Sequence, residues 1–174
     1  MFSHMAVMYA YALYVRGYAR QAYRVLDCIY QQSTNFQVSR MYPGIPEYFT
    51  PRGRGVYPYL TGSASWYLLT LLTQAFGVRG HLGDLVLSPK LVSEQFDAEG
   101  KAGVSSQFAD RKIQVIYNNP GLLEYGSYNI NRVMLNHSEL PGKLPADEYR
   151  IPRQYITALD PDQTHQITVQ LVAI

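Results

Sequence analysis

The hydrophobic periodicity of this chain changes once, near Gly77, and that change constrains the fold more than any other feature. Before this point apolar residues recur at intervals of three and four or run continuously, as they do in helices. Beyond about Leu85, apolar and polar residues alternate, as in the run from Ile113 to Tyr117, which is typical of half-buried strands. The sequence therefore predicts a segregated α+β fold, with helices in residues 1–79 and strands in residues 80–174.

Three helices are predicted in the first part of the chain. Residues 4–16 and 63–76 are apolar on every side, which is typical of helices that are covered all round. Residues 18–32 are amphipathic and therefore predict a helix on an outer layer. Residues 33–62 are rich in glycine and proline and predict a long ordered loop, a kind of segment that usually carries function. The order of inner, outer and inner helix is that of a double-layered helical barrel, but three helices cannot close one.

Short strands separated by turn signals are predicted throughout the second part. Their bounds are 84–87, 91–96, 103–108, 112–118, 126–135 and 166–173. Turn-forming residues such as Asn118-Asn119-Pro120-Gly121 separate neighbouring strands. Strands of this length and spacing indicate an antiparallel sandwich or jelly roll. Because the barrel is left open and Ile174 falls inside a strand pattern, we expect the chain to be a piece of a longer protein.

Composition excludes several classes of protein. Hydrophobic residues make up 47% of the chain and charged residues 16%, which indicates a packed domain and not a disordered one. A net charge of +2 without a basic run predicts no nucleic-acid partner. The single Cys28 and four widely spaced histidines predict neither a disulfide nor a metal site. Since neither a signal peptide nor a membrane-spanning run is recognisable, we expect a cytoplasmic location and no membrane partner.

Two predicted helix N-termini carry residues suited to bind an anion. Thr61, Gly62 and Ser63 begin the second apolar helix, where the first amides have no partner within the helix and the dipole favours negative charge. Gly62 lets an anion approach the backbone, and Thr61 or Ser63 adds a hydroxyl. His4 begins the first apolar helix in the same way. On spacing alone, capping by Thr61 or Ser63 and a structural role for His4 are the simpler interpretations.

The long loop adds further polar candidates. Glu47 lies between Pro46 and Tyr48, and Arg54 follows in a glycine-rich stretch that can approach a phosphate. The Glu47 carboxylate can accept hydrogen bonds from sugar hydroxyls, act in catalysis or be an exposed loop charge. A second carboxylate is not placed beside it, so the sequence predicts no acid–base pair. Sixteen tyrosines suit a sugar-binding protein, although tyrosine is also a common core and strand residue.

Several segments, taken in order, resemble one family of carbohydrate enzymes. They are FSH at 2–4, YPGIPEY at 42–48, YLTGSASW at 59–66, FGVRG at 76–80 and GDLVLSPKL at 83–91. Over essentially the whole chain they are similar to the C-terminal part of glycoside hydrolase family 94. That family includes cellobiose phosphorylase, other β-glucoside phosphorylases and the phosphorylase-like end of cyclic β-1,2-glucan synthase. The segment at 59–66 is the most specific, and the segment at 42–48 is closer to the β-1,2-glucan members.

The resemblance implies an (α/α)6 barrel followed by a jelly-roll-like domain. It implies that inorganic phosphate attacks the anomeric carbon of a β-glucan or β-glucoside with inversion and releases α-D-glucose 1-phosphate. Matched residue by residue, His4, Thr61 and Gly62 correspond to phosphate-binding residues. Glu47 falls near a polar residue of the same pocket, and Tyr48 and Arg54 are candidate substrate-binding residues. No cofactor is implied, because phosphate itself is the co-substrate.

The resemblance also sets expectations for distance and activity. His4 and Thr61 begin two inner helices that open toward one mouth, so the His4 ring and the Thr61 hydroxyl should lie within about 10 Å of each other. The family's general acid, an upstream Asp, has no counterpart in this chain. We therefore expect no catalytic residue here and no activity from the chain alone.

The expected partners follow from these missing parts. They are a β-linked glucan or oligosaccharide, phosphate, and either the missing part of the barrel or a second copy of the chain. Two alternatives remain: a non-catalytic remnant that associates with a separate catalytic half, and a related (α/α)6 glycoside hydrolase in which water replaces phosphate. His4 and the Thr61-Gly62 pair argue against the hydrolase, because a hydrolase needs no anion pocket there.

Overall fold

The computed structural model describes residues 1–41, 44–58, 62–142 and 144–174. These residues form two units, Met1–Ala75 and Phe76–Ile174. The first unit is mainly helical and the second mainly β, so the fold is α+β as predicted. The division lies a few residues before the predicted 79/80, because the helical segment ends at Ala75 and the first strand of the second unit begins at Val78.

The three predicted helices are present, each within two residues of its predicted ends. The helices of the first unit are α1 Ser3–Val15, α2 Ala19–Thr34, the short α3 Phe36–Ser39, and α4 Gly62–Thr70, which continues as a π-helical turn over Leu71–Ala75. The predicted loop 33–62 also contains a hairpin of two short strands, β1 Tyr48–Phe49 and β2 Gly55–Val56. Neither α3 nor the hairpin was predicted, because both are too short to show a hydrophobic period.

Helix α1 packs against both α2 and α4. Its buried side includes Val7, Ala10 and Tyr14, all fully buried. The Tyr67 hydroxyl of α4 donates a hydrogen bond to the Leu26 carbonyl of α2 at 3.2 Å, so the phenol is buried with its polar end satisfied. These contacts cover one side of each helix.

The remaining faces of α1 and α4 are apolar and exposed. They carry Met5, Met8, Tyr9 and Val15 on α1, and Leu68 and Leu69 on α4. Among the described residues nothing covers these faces, although the sequence pattern is typical of helices that are covered all round. Among the described residues, no helix is long and apolar enough to cross a membrane.

The described residues of the second unit form two sheets. Its elements are β3 Val78–His81, β4 Asp84–Leu87, β5 Lys101–Phe108, β6 Arg111–Asn118, β7 Tyr128–Leu135, β8 Ser138–Glu139, β9 Tyr149–Ile151, α5 Arg153–Thr157 and β10 Thr164–Ala173. The larger sheet has the order β5-β6-β10-β7-β8, and the smaller one has the order β3-β4-β9. Strand β10 runs parallel to β6 and antiparallel to β7. The predicted all-antiparallel arrangement is therefore wrong for one pair, because the long connection between β6 and β10 allows a parallel crossover.

The alternation of apolar and polar residues correctly predicts which strand residues are buried. Ile113, Val115 and Tyr117 of β6 are fully buried, and β10 contributes Ile167 and Val169 in the same way. The Tyr117 hydroxyl donates a hydrogen bond to the Phe76 carbonyl at 2.5 Å. Burial raises the pKa of Tyr117 well above its ordinary value.

The predicted strand 91–96 is wrong. Leu91 and Val92 are buried as the pattern requires, but a 3-10 turn occupies Ser93–Gln95. The Leu91 amide donates to the Tyr128 hydroxyl at 2.9 Å, and the Val92 amide donates to the Gln95 side chain at 3.1 Å. Side chains therefore accept the hydrogen bonds of these backbone amides, in place of the neighbouring strand that the prediction requires.

Candidate anion site

The first residues of the chain are held by the hairpin of the long loop. The Ser3 amide donates to the Glu47 carbonyl at 2.8 Å, and the Phe49 amide donates to the Met1 carbonyl at 2.9 Å. Phe2 forms an isolated antiparallel bridge with Tyr48 between these two bonds. Since α1 begins at Ser3, this pairing places its first turn beside the loop.

The same loop is tied to the N-terminus of α4. The Ser63 amide donates to Oε1 of Glu47 at 3.0 Å, and the buried Ser63 hydroxyl donates to the Pro46 carbonyl at 2.8 Å. The Glu47 carboxylate thus occupies the positive end of the α4 dipole, where an anion is stabilised. Capping of α4 by the Ser63 hydroxyl, one of the two capping interpretations, is wrong, because Ser63 lies inside the helix and its hydroxyl faces the loop.

His4 completes the cluster. Its Nδ1 lies 3.8 Å from Oε2 of Glu47, a distance that suits an ion pair when the imidazole is protonated but is too long for a hydrogen bond. The Glu47 side chain is mostly buried and the His4 side chain partly exposed. The carboxylate therefore lies between the imidazole and the first turn of α4.

Gly62 is the residue that permits this close approach. A methyl group built on its α-carbon would overlap Nδ1 of His4 and would lie 2.5 Å from Oε1 of Glu47. Real Cβ atoms do not approach other heavy atoms so closely, so only glycine fits here without displacing a neighbour. The missing side chain is what lets two polar groups reach the helix backbone.

The structure thus brings together His4, Glu47 and Gly62, three of the residues singled out from the sequence. Thr61 lies outside the described residues. The expected distance between its hydroxyl and the His4 ring therefore stays a prediction. The amide of Ser63 was missed as the group that binds Glu47. Its only sequence signal was its place at the start of an apolar helix, which does not identify a partner.

Tyr48 is connected to the cluster through Phe2. The two rings stack with their centroids 4.7 Å apart and an interplanar angle of 8°, and the Phe2 ring meets the His4 ring edge-on at 5.7 Å. Arg54 is exposed in the hairpin loop, where its amide donates to Oγ1 of Thr50 at 3.2 Å. Its guanidinium makes no ion pair with Glu47 in the described part of the chain, so the structure does not connect Arg54 to the cluster.

The cluster combines a helix N-terminus, an imidazole and a carboxylate. Such a set can hold an oxyanion. Residues 1–41, 44–58, 62–142 and 144–174 contain no group of three or more His, Cys, Asp or Glu residues that could hold a metal ion. No protein-family model matches this chain, and a search of curated proteins gives no match either.

Proposed function

We propose that this chain is the C-terminal part of an inverting glycoside phosphorylase of the family 94 type, and that the cluster at the head of α4 binds inorganic phosphate. The observation that supports this is the convergence of His4, Glu47 and Gly62 on one helix N-terminus. These residues come from three separate segments of the sequence, and each belongs to a segment that carries the resemblance.

The site already holds one oxyanion, its own carboxylate. Glu47 accepts a hydrogen bond from the Ser63 amide, which is direct support for an anion-binding helix end. In the proposed complex, phosphate lies beside this carboxylate, where the His4 ring donates to it. The resemblance assigns Thr61 as a second donor. Because Gly62 carries no side chain, His4 and Glu47 can lie against the helix backbone, and from there they contact the anion.

A carboxylate beside the anion also determines which protonation state binds. A fully ionised phosphate and an ionised Glu47 carboxylate in hydrogen-bond contact would repel each other, so one of the two has to carry a proton. Hydrogen phosphate brings its own proton and can donate it in a hydrogen bond to Glu47. Sulfate has no proton at neutral pH, so the proposed site favours phosphate over sulfate.

In the complete enzyme we propose that α1 and α4 are inner helices of an (α/α)6 barrel. Their exposed apolar faces support this, because helices of such a barrel are covered by neighbours on more than one side. We further propose that the second unit is the jelly-roll-like domain of that family. The general acid and the remaining sugar contacts then come from a preceding segment, and the enzyme acts in the cytoplasm on a β-linked glucan or glucoside.

The exposed faces also favour a second candidate function. In that case the chain is a non-catalytic subunit that associates with a separately encoded catalytic half. Apolar side chains such as Tyr9 and Leu68 supply the surface for such an association. A coding sequence for an Asp-bearing barrel segment in the neighbouring DNA, in a separate frame, would distinguish this candidate from a single longer enzyme.

The phosphate site is tested by calorimetric titration of inorganic phosphate into the chain. The variant His4→Ala removes one donor, and His137→Ala is the matched control because His137 lies exposed in a turn of the second unit. We expect His4→Ala to weaken phosphate binding by about tenfold, the size of one hydrogen bond to a charged group. Equal phosphate affinity in the native chain and both variants would contradict the proposal.

A further inference from the structure

Three aromatic side chains form an exposed surface on the hairpin, which we call the aromatic platform: Phe2, Tyr48 and Tyr57. They are 39%, 43% and 54% exposed, respectively. Phe2 and Tyr48 stack face to face, and Tyr57 meets Tyr48 edge-on with the centroids 5.9 Å apart. The rings therefore support one another while much of their surface stays open to solvent.

The aromatic platform adjoins the anion site at two points. The Phe2 ring contacts the His4 ring at 5.7 Å, and the Glu47 amide donates to the Tyr57 carbonyl at 3.1 Å. Apolar ring surface and the polar side chains of His4 and Glu47 thus lie next to each other.

The backbone of Tyr57 is held in a conformation that a bulky residue rarely adopts. Its φ is +59°, in the left-handed region that favours glycine. Strain of this kind persists where the surrounding structure enforces it, and it is concentrated at binding sites. Here it coincides with an exposed ring that packs on Tyr48 and a carbonyl that accepts from Glu47. Glycine would adopt this φ without strain, so the presence of a tyrosine here indicates that its ring has a role of its own.

We propose that the aromatic platform binds a pyranose ring of the saccharide substrate. This inference rests on the proposed function, since it places the sugar beside the phosphate site. A pyranose presents a face of C–H groups that packs on an aromatic ring, and a rim of hydroxyls that needs polar partners. The platform supplies the rings, while the phenolic hydroxyls, His4 and Glu47 supply polar groups at its edge. An apolar protein segment would gain little from the polar side chains of His4 and Glu47.

In the test, the chain is titrated with cellotetraose, with a β-1,2-linked glucotetraose and, separately, with inorganic phosphate. Binding of each is measured by calorimetry. Tyr57→Gly removes the ring and relieves the backbone strain, so the fold is retained. Tyr48→Ala removes the central ring. Tyr30→Ala is the control, because Tyr30 is equally exposed at 51% but lies on α2. We expect saccharide binding to weaken roughly five- to tenfold in the two platform variants, with phosphate binding retained.

The outcomes separate this inference from the proposed function. If the native chain binds phosphate but neither saccharide, the inference fails and the proposed phosphate site stands. If it binds a saccharide through Tyr48 and Tyr57 but does not bind phosphate, the platform stands and the proposed function fails. Unchanged saccharide affinity in both platform variants overturns the inference. So does a change confined to self-association in sedimentation experiments, because the occupant would then be protein.

Discussion

Replacing Gly62 with alanine tests the geometry of the anion site directly. The added methyl group would overlap Nδ1 of His4 and crowd Oε1 of Glu47. Both atoms belong to the ends of side chains, so they move more easily than the backbone does. The simplest relief is a shift of the Glu47 carboxylate, which breaks its hydrogen bond with the Ser63 amide.

The size of the effect follows from that bond. A hydrogen bond to a charged group stabilises a fold by about 1.5–3 kcal/mol, and the mostly buried position of Glu47 keeps solvent screening small. Alanine is a better helix former than glycine by up to about 1 kcal/mol, which offsets part of this loss. We expect Gly62→Ala to lower the free energy of unfolding of the first unit by roughly 0.5–3 kcal/mol. Phosphate binding should weaken as well, because the methyl group displaces His4 and Glu47, the side chains proposed to contact the anion.

Urea unfolding followed by Trp66 fluorescence measures this change, since the chain's single tryptophan lies on α4. The control is Gly103→Ala on β5, where a methyl group would meet its nearest atom at 3.6 Å, an ordinary contact. That variant should leave both the Trp66 transition and phosphate binding unchanged. Native stability together with native phosphate affinity in Gly62→Ala would refute the reasoning.

Four further outcomes are expected. In calorimetric titrations the native chain should bind phosphate in preference to sulfate, and Glu47→Gln should abolish that preference; equal preference in both proteins would contradict the proposed protonation. Tyr117→Phe leaves the Phe76 carbonyl without its hydrogen-bond donor and should destabilise the second unit by about 1–3 kcal/mol in thermal unfolding; an unchanged melting temperature would show that water replaces the donor. Burial raises the pKa of Tyr67 above its ordinary 10.0, so stability is full below pH 10 and falls as the pH rises beyond it; Tyr67→Phe should flatten this dependence in alkaline melting curves, and an equally steep fall would assign it to other groups. Finally, the chain should self-associate in sedimentation velocity and release no glucose 1-phosphate, and Tyr9→Glu should reduce the association; a monomer that releases glucose 1-phosphate would refute both expectations.

Long periodic segments were predictable from the sequence, because burial repeats along them. Helices α1 and α2 and strands β6 and β10 lie close to their predicted bounds. Elements too short to show a period were missed, as with β3, β9 and α5. The segment at 91–96 has the right burial but the wrong structure, because hydrogen-bond partners distant in the sequence determine its backbone.

The candidate site was predictable in its residue types and not in its contacts. His4 and Gly62 were identified by their places at the heads of apolar helices, and their proximity follows from the packing of α1 on α4. The approach of His4 to Glu47 and the hydrogen bond from the Ser63 amide to Glu47 depend on how the long loop folds back. Loop conformation is set by individual hydrogen bonds, and a periodic pattern contains no information about those.

The position of β10 bears on how the second unit forms during synthesis. This strand follows the other four strands of the larger sheet in sequence, yet it lies in the middle of that sheet, between β6 and β7. The hairpin of β5 and β6 can form early, because its strands are adjacent in sequence. The inner edges of β6 and β7 then stay unpaired until the ribosome has released residues 164–173. Open strand edges of this kind attract other chains, so the nascent protein is prone to misassembly until β10 emerges.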